Sequence, residues 1–197
     1  MTEAAFVGYA LLITLAFGVR TLLHIRQTGH HGWLPASSRV GAIGDGTFSV
    51  GVAAALGGTA LTLFGVLGEA EPAVALGIFG LVLVYGGAAI ALMAQAQMGE
   101  AWRAGVDVQA TSQLVVGGLY RFSRNPFYVG MILATAGVAL AVPQVTTALG
   151  LVLVSAGSYI DARYVEEPVL VEGHGDTYAR YRERTARFFP RPRRLTR

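Results

Sequence analysis

Stretches without a charged residue alternate along this chain with short polar segments. Residues 4–19, 46–68, 72–99 and 125–160 hold no Asp, Glu, Lys or Arg, and they run to 16, 23, 28 and 36 residues. A helix rises about 1.5 Å per residue, and a hydrocarbon core about 30 Å thick takes about 20 apolar residues to cross. Each of the first three runs is therefore read as one membrane span. The first is short, but Leu22 and Leu23 extend it and Arg20 can reach headgroups along its own stem. The last run would be about 54 Å long as a single helix, so Pro143 and Gln144 near its middle divide it into spans four and five. Residues 20–45, with Arg20, Arg26, Arg39, His24, His30, His31 and Pro35, are expected to form a basic loop. Gly41-x-x-Gly44-x-Gly46 lies in it, lacks the order and preceding strand of a dinucleotide fingerprint, and reads as loop. Glu69, Glu71 and Pro72 make a short turn that closes spans two and three into a hairpin.

The arginines test this division. Every one falls in 20–45, 99–124 or after 160, and the alternate connections 69–71 and 143–144 hold none. Positive charge collects on cytoplasmic loops. The pattern thus predicts an all-α integral membrane protein of about five transmembrane helices, N-terminus outside and C-terminus cytoplasmic. Residues 1–97 would carry spans one to three, and 98–197 spans four and five with the functional polar segments. No basic stretch precedes the first span, which reads as retained rather than as a signal peptide. Gly51 with Ala55 and Ala53 with Gly57 have the spacing that lets helices approach closely in a bilayer. Trp33 and Trp102 fit an interfacial aromatic belt.

Composition agrees: 53% of the 197 residues are hydrophobic and 14% charged, whereas a soluble domain carries about a quarter charged residues. The chain has no Cys, which excludes disulfides, thiolate metal sites and a Cys nucleophile. It also has no Lys, so phosphate-binding and Schiff-base lysines are excluded and cationic roles fall to Arg or His. Nine of the fifteen Arg follow residue 160, beside a span. The net charge of +3 is therefore assigned to anionic lipid headgroups, not to nucleic acid. His24, His30 and His31 lack accompanying carboxylates at ligand spacing, and no metal is expected.

Small external turns leave the chemistry to the cytoplasmic segments. In Arg124-Asn125-Pro126-x-Tyr128-x-Gly130, Pro suits the first turn of a helix and Asn its N-cap, so a helix should start at Pro126. The helix terminus and Arg124 together favour an anion, although Arg beside a span also serves as a headgroup anchor. Glu166 and Glu167 read as an exposed acidic pair. Either they pair with Arg163 on a solvated helix, or they receive a cation, hydroxyl or ammonium group of a cofactor. Pro168 after Glu167 predicts a helix break there.

Taken together, Leu114-Val115-Val116-Gly117-Gly118-Leu119-Tyr120-Arg121-Phe122-Ser123-Arg124-Asn125-Pro126-Phe127-Tyr128-Val129-Gly130 and the later Glu166, Glu167, Leu170, Gly175, Tyr178, Tyr181 and Pro190 resemble a membrane family. That family is the isoprenylcysteine carboxyl methyltransferase and phospholipid N-methyltransferase group, and the resemblance covers about residues 98–190. It implies a cytoplasm-facing pocket for S-adenosyl-L-methionine in a multi-pass protein of the plasma (inner) membrane. Leu114, Val115, Val116, Gly117 and the Tyr120 ring would border adenosine. Arg124, Asn125, Pro126, Tyr128, Glu166 and Glu167 would hold the polar parts. Asn125 stands where many eukaryotic members have His, as is common in bacterial-type sequences; Ser112 and His174 are further departures. The implied reaction is in-line displacement by an oxygen, nitrogen or sulfur of a lipophilic acceptor. Arg163 and Glu167 are the candidate catalytic residues, and Arg103, Arg121 or Arg163 could orient an acceptor carboxylate. Two rival readings are an NADPH-dependent membrane reductase resembling sterol reductases and a non-enzymatic carrier or assembly subunit. Paired Glu argue against the first, and spans without deep ionisable groups other than Tyr argue against the second.

Overall fold

The computed structural model describes residues 1–29, 31, 36, 38–68, 71–99 and 114–189. Its elements are α1 (Thr2–Ile13), a π-helical turn (Thr14–Val19), α2 (Arg20–Thr28), α3 (Arg39–Leu63), α4 (Val74–Met98), a 3-10 turn (Gly118–Arg121), α5 (Pro126–Ala141), α6 (Val145–Ile160), a second π-helical turn (Asp161–Glu166) and α7 (Glu167–Arg184). The protein is an all-α integral membrane protein. Thr2–Arg26, Arg39–Leu63, Val74–Met98 and Val145–Arg184 are long and apolar enough to cross a membrane, and Pro126–Ala141 is a shorter apolar helix.

The first span does not stop at residue 19. It continues through the π turn into α2, and α3 already starts at Arg39. The expected basic loop 20–45 therefore shrinks to the segment between Thr28 and Arg39. A charge is tolerated within a span where its side chain finds a partner, and the Arg20 guanidinium donates to the carbonyl of Gly99 at the C-terminal end of α4. Ser38 fixes the start of α3, its hydroxyl accepting from the Gly41 N–H at 3.0 Å. The π turn leaves a carbonyl spare at Ala16, and Gln95 of α4 supplies its donor at 3.0 Å.

Gly41, Gly44 and Gly46 thus belong to a helix and not to a loop. Their relatives along the bundle show why glycine recurs: α3 packs on α6 and α4 on α5 with backbones nearly touching. A methyl group on Gly51 would lie 2.6 Å from the Val154 nitrogen, and one on Gly157 2.5 Å from that of Phe48. On the other pair, Gly87 meets the Ala134 nitrogen at 2.5 Å and Gly137 that of Val84 at 2.5 Å. The small-residue pattern is half correct, because Gly51 and Ala55 face α6 while Ala53 is exposed and Gly57 faces open space. Without water to drive helices together, such close contact supplies the dispersion energy that replaces a hydrophobic effect.

The α1 helix closes the bundle against α3, α4 and α5. Tyr9, Leu12, Phe48, Val84, Met131, Val138 and Val154 form its core, where the Tyr9 hydroxyl is satisfied by Thr135 at 2.8 Å. The hairpins interlock: the chain's first half contributes α3 and α4, and its second half α5 and α6 packs one helix against each. The expected positions of Glu69, Pro35, His30, Trp33, Trp102, Arg103, Ser112, Pro190 and the terminal arginines lie outside the described residues.

Candidate functional site

The segment entering α5 and the segment leaving α6 meet. A helix begins at Pro126, as the sequence predicts. Asn125 occupies the N-cap position without capping: its side-chain amide donates to the Arg187 carbonyl at 3.0 Å. The reason is that residues 123–125 lie against 185–187. Ser123 and Ala186 form an isolated parallel bridge. The Arg124 and Asn125 N–H groups bond the carbonyls of Ala186 at 2.9 Å and Arg187 at 3.1 Å, and the Ser123 hydroxyl also reaches Arg187 O at 3.1 Å. The capping amide is thus spent on docking the chain that follows α7.

This docking assembles an ionic cluster. Glu167 is 3% exposed, not part of an exposed acidic pair. Its Oε1 lies 3.0 Å from Arg124 Nη2 and 2.6 Å from Arg187 Nε. Its Oε2 accepts from Arg187 Nη2 at 3.1 Å. Arg163, the i to i+4 neighbour, stands 3.8 Å away and is a minor partner. Arg124 also donates to the Tyr178 hydroxyl at 3.3 Å, and its buried Nε has no hydrogen-bond partner among the described residues. A buried ion pair holds only where the geometry is good, and here the two-pronged Arg187 contact supplies it.

Glu166 turns the other way and accepts from the Tyr128 hydroxyl at 2.8 Å. The Tyr128 ring packs edge-on against Phe48 at 6.0 Å and beside Phe127 at 5.7 Å. The two glutamates diverge because the chain does not break at Pro168. The π turn carries it continuously from α6 into α7, with Pro in the first turn of α7, where a missing N–H is tolerated. The kink comes later, at Gly175, with φ 49°.

Tyr120 is buried; its hydroxyl donates to Ala94 O at 3.3 Å and its carbonyl accepts from the Tyr181 hydroxyl at 2.5 Å. Burial, with Glu166 and Tyr181 adding to it, pushes the Tyr120 phenol well up, so it stays neutral. The hydrogen bond to Glu167 raises Arg187 further, keeping it cationic. Leu114 and Val115 are half-buried, and Val116 and Gly117 exposed, ahead of the 3-10 turn.

The structure therefore brings together Arg124, Asn125, Tyr128, Arg163, Glu166 and Glu167. Two further members had no role assigned from sequence. Asp161 and Arg187 both fall in the polar segment 161–190 after span five, but neither was matched to a cofactor group. With α3 starting at Arg39, Asp45 lies inside that helix, and Asp161 is 5% exposed with one carboxylate oxygen unpartnered among the described residues. Glycine makes room for it, since a methyl on Gly44 would sit 1.8 Å from Asp161 Oδ1. Both acids stand at the site's end of the bundle.

A family model described as phospholipid methyltransferase matches residues 75–177, just over half of the chain. No curated protein and no solved structure matched it.

Proposed function

The chain belongs to the phospholipid methyltransferase family, and from that premise we propose that it transfers a methyl group from S-adenosyl-L-methionine to a lipophilic acceptor at the cytoplasmic face of a bacterial plasma membrane. At the coarser level it is a multi-pass membrane methyltransferase of lipid-like substrates. One observation carries the finer reading: segments 38 residues apart converge through Tyr128–Glu166, and beside them Arg124 and Arg187 clasp Glu167.

The donor set suits this cofactor. Arg124, with an unused buried N–H beside its contact to Glu167, suits a carboxylate. A carboxyl wall of Glu166, with Asp161 beyond it, offers oxygen acceptors to an ammonium. In this reading Leu114, Val115, Val116 and Gly117 border adenosine and the Tyr120 ring backs them. Pro126 opens the helix that carries Tyr128, and Asn125 acts through the Arg187 carbonyl it holds. When bound, S-adenosyl-L-methionine supplies an electrophilic methyl group on sulfur. The chain's own residues then position and desolvate more than they react. Glu167 fixes the guanidiniums of Arg124 and Arg187, and Arg163, at the open edge, orients an anionic part of the acceptor arriving laterally from the bilayer.

The test is calorimetry on purified protein. S-adenosylhomocysteine is expected to bind and NADPH not to. Glu166→Gln keeps an acceptor for Tyr128 but removes the charge, and should weaken S-adenosylhomocysteine about tenfold with helix content unchanged. Binding of NADPH alone would reassign the protein as a reductase. Binding of neither ligand would favour a non-enzymatic role.

A further inference from the structure

The ionic cluster holds more positive than negative charge on its outer side. Three guanidiniums converge on the single carboxylate of Glu167. Arg124 is enclosed, its side chain 7% exposed, but Arg187 is 25% and Arg163 46% exposed. At 3.8 Å, Arg163 is too far from Glu167 for a hydrogen bond, so its forked donors remain available to an outside partner.

Each of these two arginines lies over an aromatic ring. Arg187 stands 5.4 Å from the Tyr159 centroid and Arg163 5.7 Å from that of Tyr164. The two rings touch edge to face at 6.2 Å, and both are exposed. Half-apolar rings of this kind settle at the headgroup level of a bilayer. Below them α6 presents one exposed apolar line, Val145, Leu149, Val152 and Tyr159. From residue 145 to 159 it runs about 21 Å, more than the about 15 Å depth of one leaflet.

We propose that Arg163 and Arg187, backed by Tyr159 and Tyr164, hold the phosphodiester of an anionic membrane phospholipid whose chains lie along α6. Charge complementarity selects the occupant. A phosphodiester with no cation of its own offers two free oxygens, one to the open fork of Arg163 and one to the outer edge of Arg187, whose Nε and Nη2 already bond Glu167, while a quaternary ammonium would stand against the same positive edge. The inference uses the membrane setting of the chain and does not depend on the identity of the methyl donor.

Native mass spectrometry of the full chain in detergent, titrated separately with phosphatidylglycerol and phosphatidylcholine, tests it. Wild type should retain one phosphatidylglycerol at least tenfold more tightly than phosphatidylcholine. Arg163→Gln should weaken phosphatidylglycerol about tenfold, and Arg180→Gln, which removes an exposed charge on α7, by less than twofold. Equal losses in the two variants would show diffuse charge only and overturn the site, as would no loss in either, or equal retention of the two lipids. Circular dichroism of Arg163→Gln checks that it folds. S-adenosylhomocysteine binding on the same samples separates the readings: its absence beside selective phosphatidylglycerol retention would sink the methyl-donor proposal alone.

Discussion

At the scale of single residues, Glu167 decides the most. A buried carboxylate that neutralises clustered guanidiniums cannot be removed without leaving them unpaired in a poor dielectric. Glu167→Ala is therefore expected to cost about 3–5 kcal/mol, seen as a lowered thermal midpoint in detergent. Loss of cofactor binding in that variant alone would not identify a ligand contact. Glu166→Gln is the cleaner probe for that reason. The residue types at 124, 163, 166 and 167 were legible as candidate chemistry, because Arg and paired Glu beside a span call for partners. Which acid met which base was not legible. Helical spacing gave Arg163 as the partner of Glu167, whereas the stronger contacts come from Arg124 and Arg187, 43 and 20 residues away in sequence.

At the scale of elements, the glycines set helix separation. Gly51→Ala puts a methyl 2.6 Å from a backbone nitrogen that has no rotamer to escape into. It should destabilise by about 1–3 kcal/mol. Gly57→Ala, on the same helix but facing open space, should be neutral or gain up to about 1 kcal/mol through its helix preference. Thermal unfolding of the two side by side gives the check, and equal behaviour would contradict the packing. Element boundaries failed where a polar residue was taken to end a span. Arg20 continues a helix because Gly99 offers it a carbonyl, and Asp161 continues another because Gly44 leaves it space. Neither accommodation is visible in a local window of sequence.

At the scale of the whole molecule, the charge pattern makes a claim about sidedness. The absence of native cysteine makes that claim simple to test. A cysteine at Glu71, in the segment before α4, should react with an impermeant maleimide from outside intact cells. One at Gly173, on α7, should react only after the membrane is opened. Both positions are exposed. Reversed labelling would turn the protein over and move the site to the external face.

The sequence by itself determined the all-α membrane class, the start of α5 at Pro126 and the family, because hydrophobic length, the proline rule and a contiguous motif are local properties of the chain. Tertiary structure alone decided that the strand-like segment at 185–187 docks on 123–125, that Arg187 joins the cluster, and that the two glutamates face opposite neighbours. Those facts depend on a π turn and on glycine contacts between helices distant in sequence. Such long-range contacts set the geometry of charges that composition can only count.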